Sequence, residues 1–337
     1  MRKSILPNVL LVICSTAFAL GVGELYFRYV MRVHHHVQIP TGLFDNDPRA
    51  GWRLSAGFRA TFDTPDGTVT FTVNSQGVRA PDRAGREYAR RAQGAPPRIF
   101  VSGDSYVFGW LVDDEDAFPS VLERKLRASG RPAEVVNLGV PGYGTRQSFD
   151  RLAEYVERIG KPDYVIYLFC PNDPIDDVAG RKEVVNGVRI DSDLRFKYLL
   201  SWVSRIYQHS RLVAYVIDAI YTVGWNPRVA ANIEMRTIPV NVEDREDTIA
   251  NLRNVQRWID WARTQGVKLI VGETHSSEYS PGLRELLRKN GVPSVTVASF
   301  INASGEKRPT RLAFDKYHWN ALGNDLAARA FEPLLAN

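Results

Sequence analysis

From position 98 onward, short apolar runs alternate with longer amphipathic stretches. The runs cover 99–101, 135–138, 164–169, 268–271 and 294–297. Apolar residues at helical spacing fill the stretches around 117–129, 145–160, 245–265 and 280–290, and a last one from about 320 to 335. Brief apolar runs separated by helices predict a parallel sheet buried on both faces, since a crossover between parallel strands needs room for a helix. In such sheets a site lies beyond the carboxyl ends of the strands. Upstream, 58–62 and 68–73 read as a hairpin around Thr64-Pro65-Asp66-Gly67, whose second arm alternates apolar and polar with period two. Residues 37–50 read as a linker and 82–97 as an Arg-rich surface loop. Residues 198–223 place Leu199, Trp202, Val203, Ile206, Val213, Val216, Ile217 and Ile220 at roughly helical spacing. They predict an inserted helix packing on the core, with rest against a bilayer as the alternative.

The N-terminus adds a different element. Met1-Arg2-Lys3 is basic, residues 4–23 carry no charge, and Tyr26, Phe27, Arg28 and Arg32 follow. The apolar run is long enough to span ~30 Å of hydrocarbon as a helix, with aromatic and basic residues suited to the far interface. An uncleaved anchor is the expected reading, because apolar character continues past Ala19. A signal peptide cut after Ala17-Phe18-Ala19 is the alternative. The remainder would then be extracytoplasmic: held at the membrane by an anchor, or secreted or periplasmic after cleavage. His34-His35-His36 reads as a solvated juxtamembrane stretch. The expected division is 1–33 anchor, 34–97 linker and hairpin, and 98–337 main domain with a helical insert around 180–240.

Composition narrows the classes. In 337 residues, 43 Lys and Arg against 38 Asp and Glu give a net charge of +5, with 44% hydrophobic and 24% charged residues. That excludes a disordered chain, a collagen-like fibre and a multi-span membrane protein. No dense basic stripe interleaved with aromatics argues for nucleic acid. Two cysteines, Cys14 and Cys170, provide neither a disulfide framework nor a Cys-based zinc site.

Candidate chemistry sits where predicted strands end. Gly103-Asp104-Ser105 follows the first, Asn137-Leu138-Gly139-Val140-Pro141-Gly142-Tyr143-Gly144 the second, and Pro171-Asn172-Asp173 the third. Asp315-Lys316-Tyr317-His318 precedes the last helix. Acyl transfer needs a hydroxyl, a base near neutral pKa, a carboxylate to fix the base's tautomer, and donors for the developing oxyanion. Ser105 can supply the hydroxyl, His318 the base and Asp315 the carboxylate. The backbone N–H groups of Ser105 and Gly142 and the amide of Asn172 can supply the donors. Asp104 reads as a turn or cap residue, Asn320 as the cap of the last helix, and Cys170 as a small buried residue. His275 is either part of the cleft wall or a plain surface or packed histidine.

Four blocks in this order resemble the SGNH (GDSL-like) hydrolases, over about residues 98–335, and the membrane-anchored bacterial members most of all. The resemblance implies a three-layer α/β/α sandwich with a flavodoxin-like, five-stranded parallel sheet. It implies a serine esterase that uses Ser105, Asp315 and His318, with Ser105, Gly142 and Asn172 as the oxyanion hole and no metal or organic cofactor. Pro171 stands where the family more often has Gly, which removes one backbone N–H. The expected substrate is a small-molecule, lipid or glycan ester. An O-acyltransferase using the same triad on a cell-envelope polysaccharide remains the alternative. A classical α/β-hydrolase elbow is excluded, because Val107 stands where Gly-x-Ser-x-Gly needs its second glycine.

Overall fold

The computed structural model describes residues 6–31, 40–64, 66–92, 94–178, 182–224, 245–313 and 316–335. Met1 to Ile5, the histidines at 34–36 and Asp315 lie outside them. Helix α1 (Leu6–Leu25) continues into a wider π-turn over Tyr26–Val30. Together they make one helix long and apolar enough to cross a membrane. Strands β1 (Phe44–Asp47) and β2 (Gly51–Leu54) pair antiparallel, as do β3 (Arg59–Thr64) and β4 (Gly67–Thr72). The second pair is the expected hairpin. The first corrects the reading of 37–50 as linker: Phe44, Trp52 and Leu54 bury there, although the intervening residues are polar.

The main domain begins with β5 (Arg98–Gly103), α2 (Ser105–Phe108) and α3 (Phe118–Ala128), then β6 (Glu134–Asn137), α4 (Thr145–Ile159) and β7 (Tyr164–Phe169). Next come α5 (Asp173–Val178), the antiparallel pair β8 (Lys182–Val185) and β9 (Val188–Asp191), α6 (Lys197–His209) and α7 (Arg211–Gly224). The chain closes with α8 (Glu246–Gln265), β10 (Lys268–Glu273), α9 (Ser280–Lys289), β11 (Ser294–Thr296), α10 (Val297–Ala303) and α11 (Ala321–Phe331). Strands β6, β5, β7, β10 and β11 lie side by side in that order, each pair parallel. This is the flavodoxin-like order, whose switch point falls between β5 and its neighbours.

Alternation along each strand builds the three layers. Val165, Tyr167 and Phe169 of β7 point to one face and pack with Phe149 and Leu152 of α4, Trp258 of α8 and Leu283 of α9. Ile166 and Leu168 point to the other and pack with Phe118, Val121 and Leu122 of α3 and with Phe331 of α11. Both faces being covered explains the near-continuous apolar runs. A third cluster joins Phe44, Trp52 and Phe71 of the N-terminal strands to Phe108, Val140, Tyr143 and Leu312 around the carboxyl edge of the sheet. The insert expected to be helical opens with a hairpin, β8–β9, and its helical part breaks in two at Ser210.

Candidate active site

Ser105 opens α2 directly beyond the carboxyl end of β5. Asp104 caps that helix: its Oδ1 accepts the Tyr106 N–H at 2.9 Å, and its Oδ2 lies 3.5 Å from Ser105 Oγ. Burial raises the Asp104 carboxyl above the usual carboxylate range. Two glycines let the neighbouring turn come close. Gly139 packs against α2 so tightly that a Cβ there would run into Phe108 N and, at 2.7 Å, the Val107 carbonyl carbon. Gly142 has φ +78°, a left-handed conformation that favours glycine.

His318 arrives from the far end of the chain. The Arg311–Trp319 bridge and the bond from Leu312 N–H to His318 O (2.9 Å) fold its loop back on itself. The Tyr106 hydroxyl donates to Tyr317 O at 2.8 Å, and the Tyr106 ring lies 5.1 Å from the imidazole. Beyond the loop, Asn320 caps α11 by accepting the Gly323 N–H at 3.0 Å. The result is that Ser105 Oγ and His318 Nε2, 213 positions apart, meet at 2.9 Å. Both side chains are partly open to solvent. Asp315, the third expected member, lies outside the described residues.

Asn172 stands at the start of α5, beyond β7. Its Nδ2 donates to Asp176 Oδ2 at 2.7 Å, while its buried Oδ1 has no hydrogen-bond partner among the described residues. A primary amide has two N–H groups, so one stays available for another acceptor. The Cys170 thiol is fully buried and pushed well up by burial, which makes it unreactive. His275 is half-buried beside the site, its ring edge-on to Tyr317 at 5.9 Å, and burial lowers its pKa.

Two arginines belong to the site that the motifs did not reveal. Arg189, on β9, stacks over the Trp52 ring at 4.8 Å and donates to Pro141 O. Its guanidinium occupies the space a Gly142 side chain would need. Burial lowers it to about 10, while Asp176 and Asp191 pull it back up. Arg79 is fully buried and donates to Phe108 O (2.6 Å) and Gly109 O, at the far end of α2. A cavity of about 620 Å³ reaches Gly142 and Asp176, with Asp47, Trp52, Arg146 and Lys182 also in its wall.

The fold and site define the class: an α/β protein with a serine hydroxyl against a histidine at the carboxyl edge of a flavodoxin-like sheet. Residues 101–326 match the GDSL-like Lipase/Acylhydrolase family, which covers most of the chain, and the protein belongs to that family. It is a hydrolase acting on ester bonds. No curated protein matches the chain. Among solved structures it is similar to a putative lipolytic protein of the G-D-S-L family from Desulfitobacterium hafniense DCB-2, at 13% identity and TM-score 0.41, covering 71% of this chain and 99% of that one. It is also similar to TesA, at 14% identity and TM-score 0.44, covering 71% and 98%. An acetyl xylan esterase, AlAXEase, matches at 15% identity and TM-score 0.40, covering 71% and 99%.

Proposed function

We propose that the protein is a serine esterase working through an acyl-enzyme at the extracytoplasmic face of a membrane. The observation that carries the reading is the 2.9 Å contact between Ser105 Oγ and His318 Nε2. Ser105 Oγ gives its proton to His318 Nε2 and bonds to the ester carbonyl carbon. The alcohol then leaves with that proton, and water, deprotonated by His318, releases the acid and regenerates Ser105. Asp315 orients the imidazole and steadies its charged form. The N–H groups of Ser105 and Gly142 and the free N–H of Asn172 receive the oxyanion, each such donor being worth about 10²–10³ in kcat. The polar cavity beside Gly142 suits a hydroxyl-rich or headgroup-like alcohol portion, such as a glycan or a lipid ester. The helix Leu6–Val30 serves as an uncleaved anchor, residues 34–97 as an extension, and residues 98–337 as the hydrolase domain.

The test uses the purified full chain and a panel of short acyl esters. Ser105→Ala should abolish hydrolysis while leaving thermal unfolding nearly unchanged. Retained activity would remove Ser105 from its role. An acetyl donor offered with and without polysaccharide separates hydrolysis from transfer by where the acetyl group ends.

A further inference from the structure

Helix α6 reverses the usual pattern of a surface helix. Its protein-facing side carries Ser201, Ser204, Gln208 and the buried Tyr207. Its outward arc carries Tyr198, Leu199, Trp202, Val203 and Ile206, exposed by 37–65%. A contiguous apolar face of this kind marks an interaction surface. No described residue covers it.

What lies against it follows from the junction with α1. Glu24, in the last turn of α1, caps α7: its carboxylate accepts the N–H of Arg211 (3.0 Å) and of Leu212 (3.0 Å) and the Ser210 hydroxyl (2.8 Å). Arg28 donates to Glu24 (2.7 Å) and to His209 O at the end of α6 (3.0 Å). Phe27 stacks on Tyr215 of α7 at 4.4 Å. Twenty helical residues rise about 30 Å, the thickness of the hydrocarbon. If α1 spans the bilayer, Glu24 sits at its boundary and holds the α6–α7 corner at that depth. The flank of the arc completes the match. Arg205 lies over Trp202 at 5.3 Å, Lys197 over Tyr198 at 5.9 Å, and Arg195 over Phe196 at 5.8 Å. Cations beside amphipathic rings suit the headgroup layer, where the charge stays wet and the ring does not.

We propose that α6 lies in the headgroup–acyl boundary of the membrane that α1 spans, with its apolar arc against phospholipid. This rests on the reading of α1 as an uncleaved anchor. It has a consequence for the site, because α6 is tied to the hairpin that carries Arg189. Asn186 Nδ2 donates to Ser201 Oγ at 2.9 Å, and Lys197 pairs with Glu183. The docked helix thereby connects the membrane surface to the turn at Gly142.

The test places an environment-sensitive fluorophore on single cysteines in the full-length protein, reconstituted in phospholipid vesicles that contain nitroxide-labelled lipid. Cys14 is changed to Ser, Cys170 is buried, and Leu199→Cys, Ile206→Cys and, as a remote control, Arg288→Cys are labelled in turn. The labels at 199 and 206 should be quenched several-fold more strongly than the label at 288, with blue-shifted emission. Quenching no stronger than at 288 overturns the proposal. A blue shift without lipid quenching also overturns it, in favour of cover by another part of the chain or a second copy. The native protein labelled at Cys14 reports α1 independently. Quenching there but not at 199 or 206 sinks the docking alone, whereas no quenching at Cys14 sinks the anchor reading.

Discussion

Replacing Arg79 with Met tests how the segment after the β3–β4 hairpin supports the helix that carries Ser105. Arg79 lies outside the strands of the five-stranded sheet, yet both it and Asp114 are fully buried, with Nε 3.1 Å from Asp114 Oδ1. It also donates to Phe108 O (2.6 Å) and Val112 O (2.7 Å), and its guanidinium lies 4.6 Å from the Phe71 and Phe108 ring centres. Methionine keeps much of the volume and removes the charge. Asp114 would then retain the Thr72 N–H (3.0 Å) but lose its cation, and its Oδ2 already has no partner among the described residues. Removing one member of a buried pair typically costs roughly 3–5 kcal/mol. At about 2–4 °C per kcal/mol for a domain of this size, the melting temperature should fall by about 6–20 °C. Burial already raises the Asp114 carboxyl and Arg79 is the main influence holding it down, so it rises further in the variant. A group raised on folding supports stability while it is protonated and ceases to as pH climbs through its folded pKa. The deficit of Arg79→Met should therefore shrink toward acid pH, and Asp114→Asn in the same chain should recover part of it. Calorimetry on the detergent-solubilised full chain reads all three. A melting temperature unchanged at neutral pH, or no recovery when Asp114→Asn is added, would refute the brace.

Three further outcomes follow from the site. Gly139→Ala should overpack the contact with the Phe108 and Val107 backbone, costing about 1–3 kcal/mol; ester hydrolysis should fall with it, both checked by unfolding and initial rates. Arg189→Met should lower kcat by about 10–100-fold, the kinetic equivalent of roughly 1.5–3 kcal/mol for a charged hydrogen bond, because Pro141 O is left with the Trp52 indole N–H at 3.3 Å and Asp176, the partner of Asn172, is left with Lys182 as a nearby cation. Steady-state kinetics with an unchanged kcat would remove Arg189 from the support of the oxyanion turn. Asp315→Asn should lower kcat by up to about 10⁴ through the wrong imidazole tautomer, and equal rates for variant and parent would make Asp315 structural.

The sheet was legible because β5, β7 and β10 are buried on both faces, which leaves apolar runs that no surface element produces. The Ser105 block was legible because polar turn residues stand at a strand end, and the His318 block because Asp-Lys-Tyr-His stands just before a capped helix. The first hairpin was not, since β1 buries only Phe44 fully and reads as Phe-Asp-Asn-Asp. The β8–β9 hairpin carries its signal in sequence: Asn186-Gly187 between Val184-Val185 and Val188-Arg189-Ile190 is the pair a two-residue hairpin demands, and both residues take positive φ. Arg79 and Arg189 carry no local signature. An arginine reads as surface until distant elements enclose it, and Phe71, Phe108, Trp52 and Asp114 do so only in three dimensions.

Those arginines give a role to the segments that wrap around the five-stranded sheet. Site residues sit on turns, which are the more mobile parts of a fold. Here the carbonyl groups of these turns are held by guanidinium groups from elsewhere: Phe108 O by Arg79, Pro141 O by Arg189, and Leu138 O by Arg151 at 3.0 Å. Arg151 reaches back to Gly77 O at 2.6 Å, joining the segment after the β3–β4 hairpin to the β6 turn. Each bond replaces turn flexibility with a charge-assisted contact in a poorly solvated place, where it is strong and directional. Pre-set donors cost no reorganisation during reaction, so in the proposed mechanism segments that bring no reacting group still bear on the rate. The N-terminal segment and the β8–β9 hairpin are therefore parts of the frame around Ser105 and His318, and a chain cut to the five-stranded sheet and its helices would keep both residues but lose two of the guanidinium groups that hold their neighbours still.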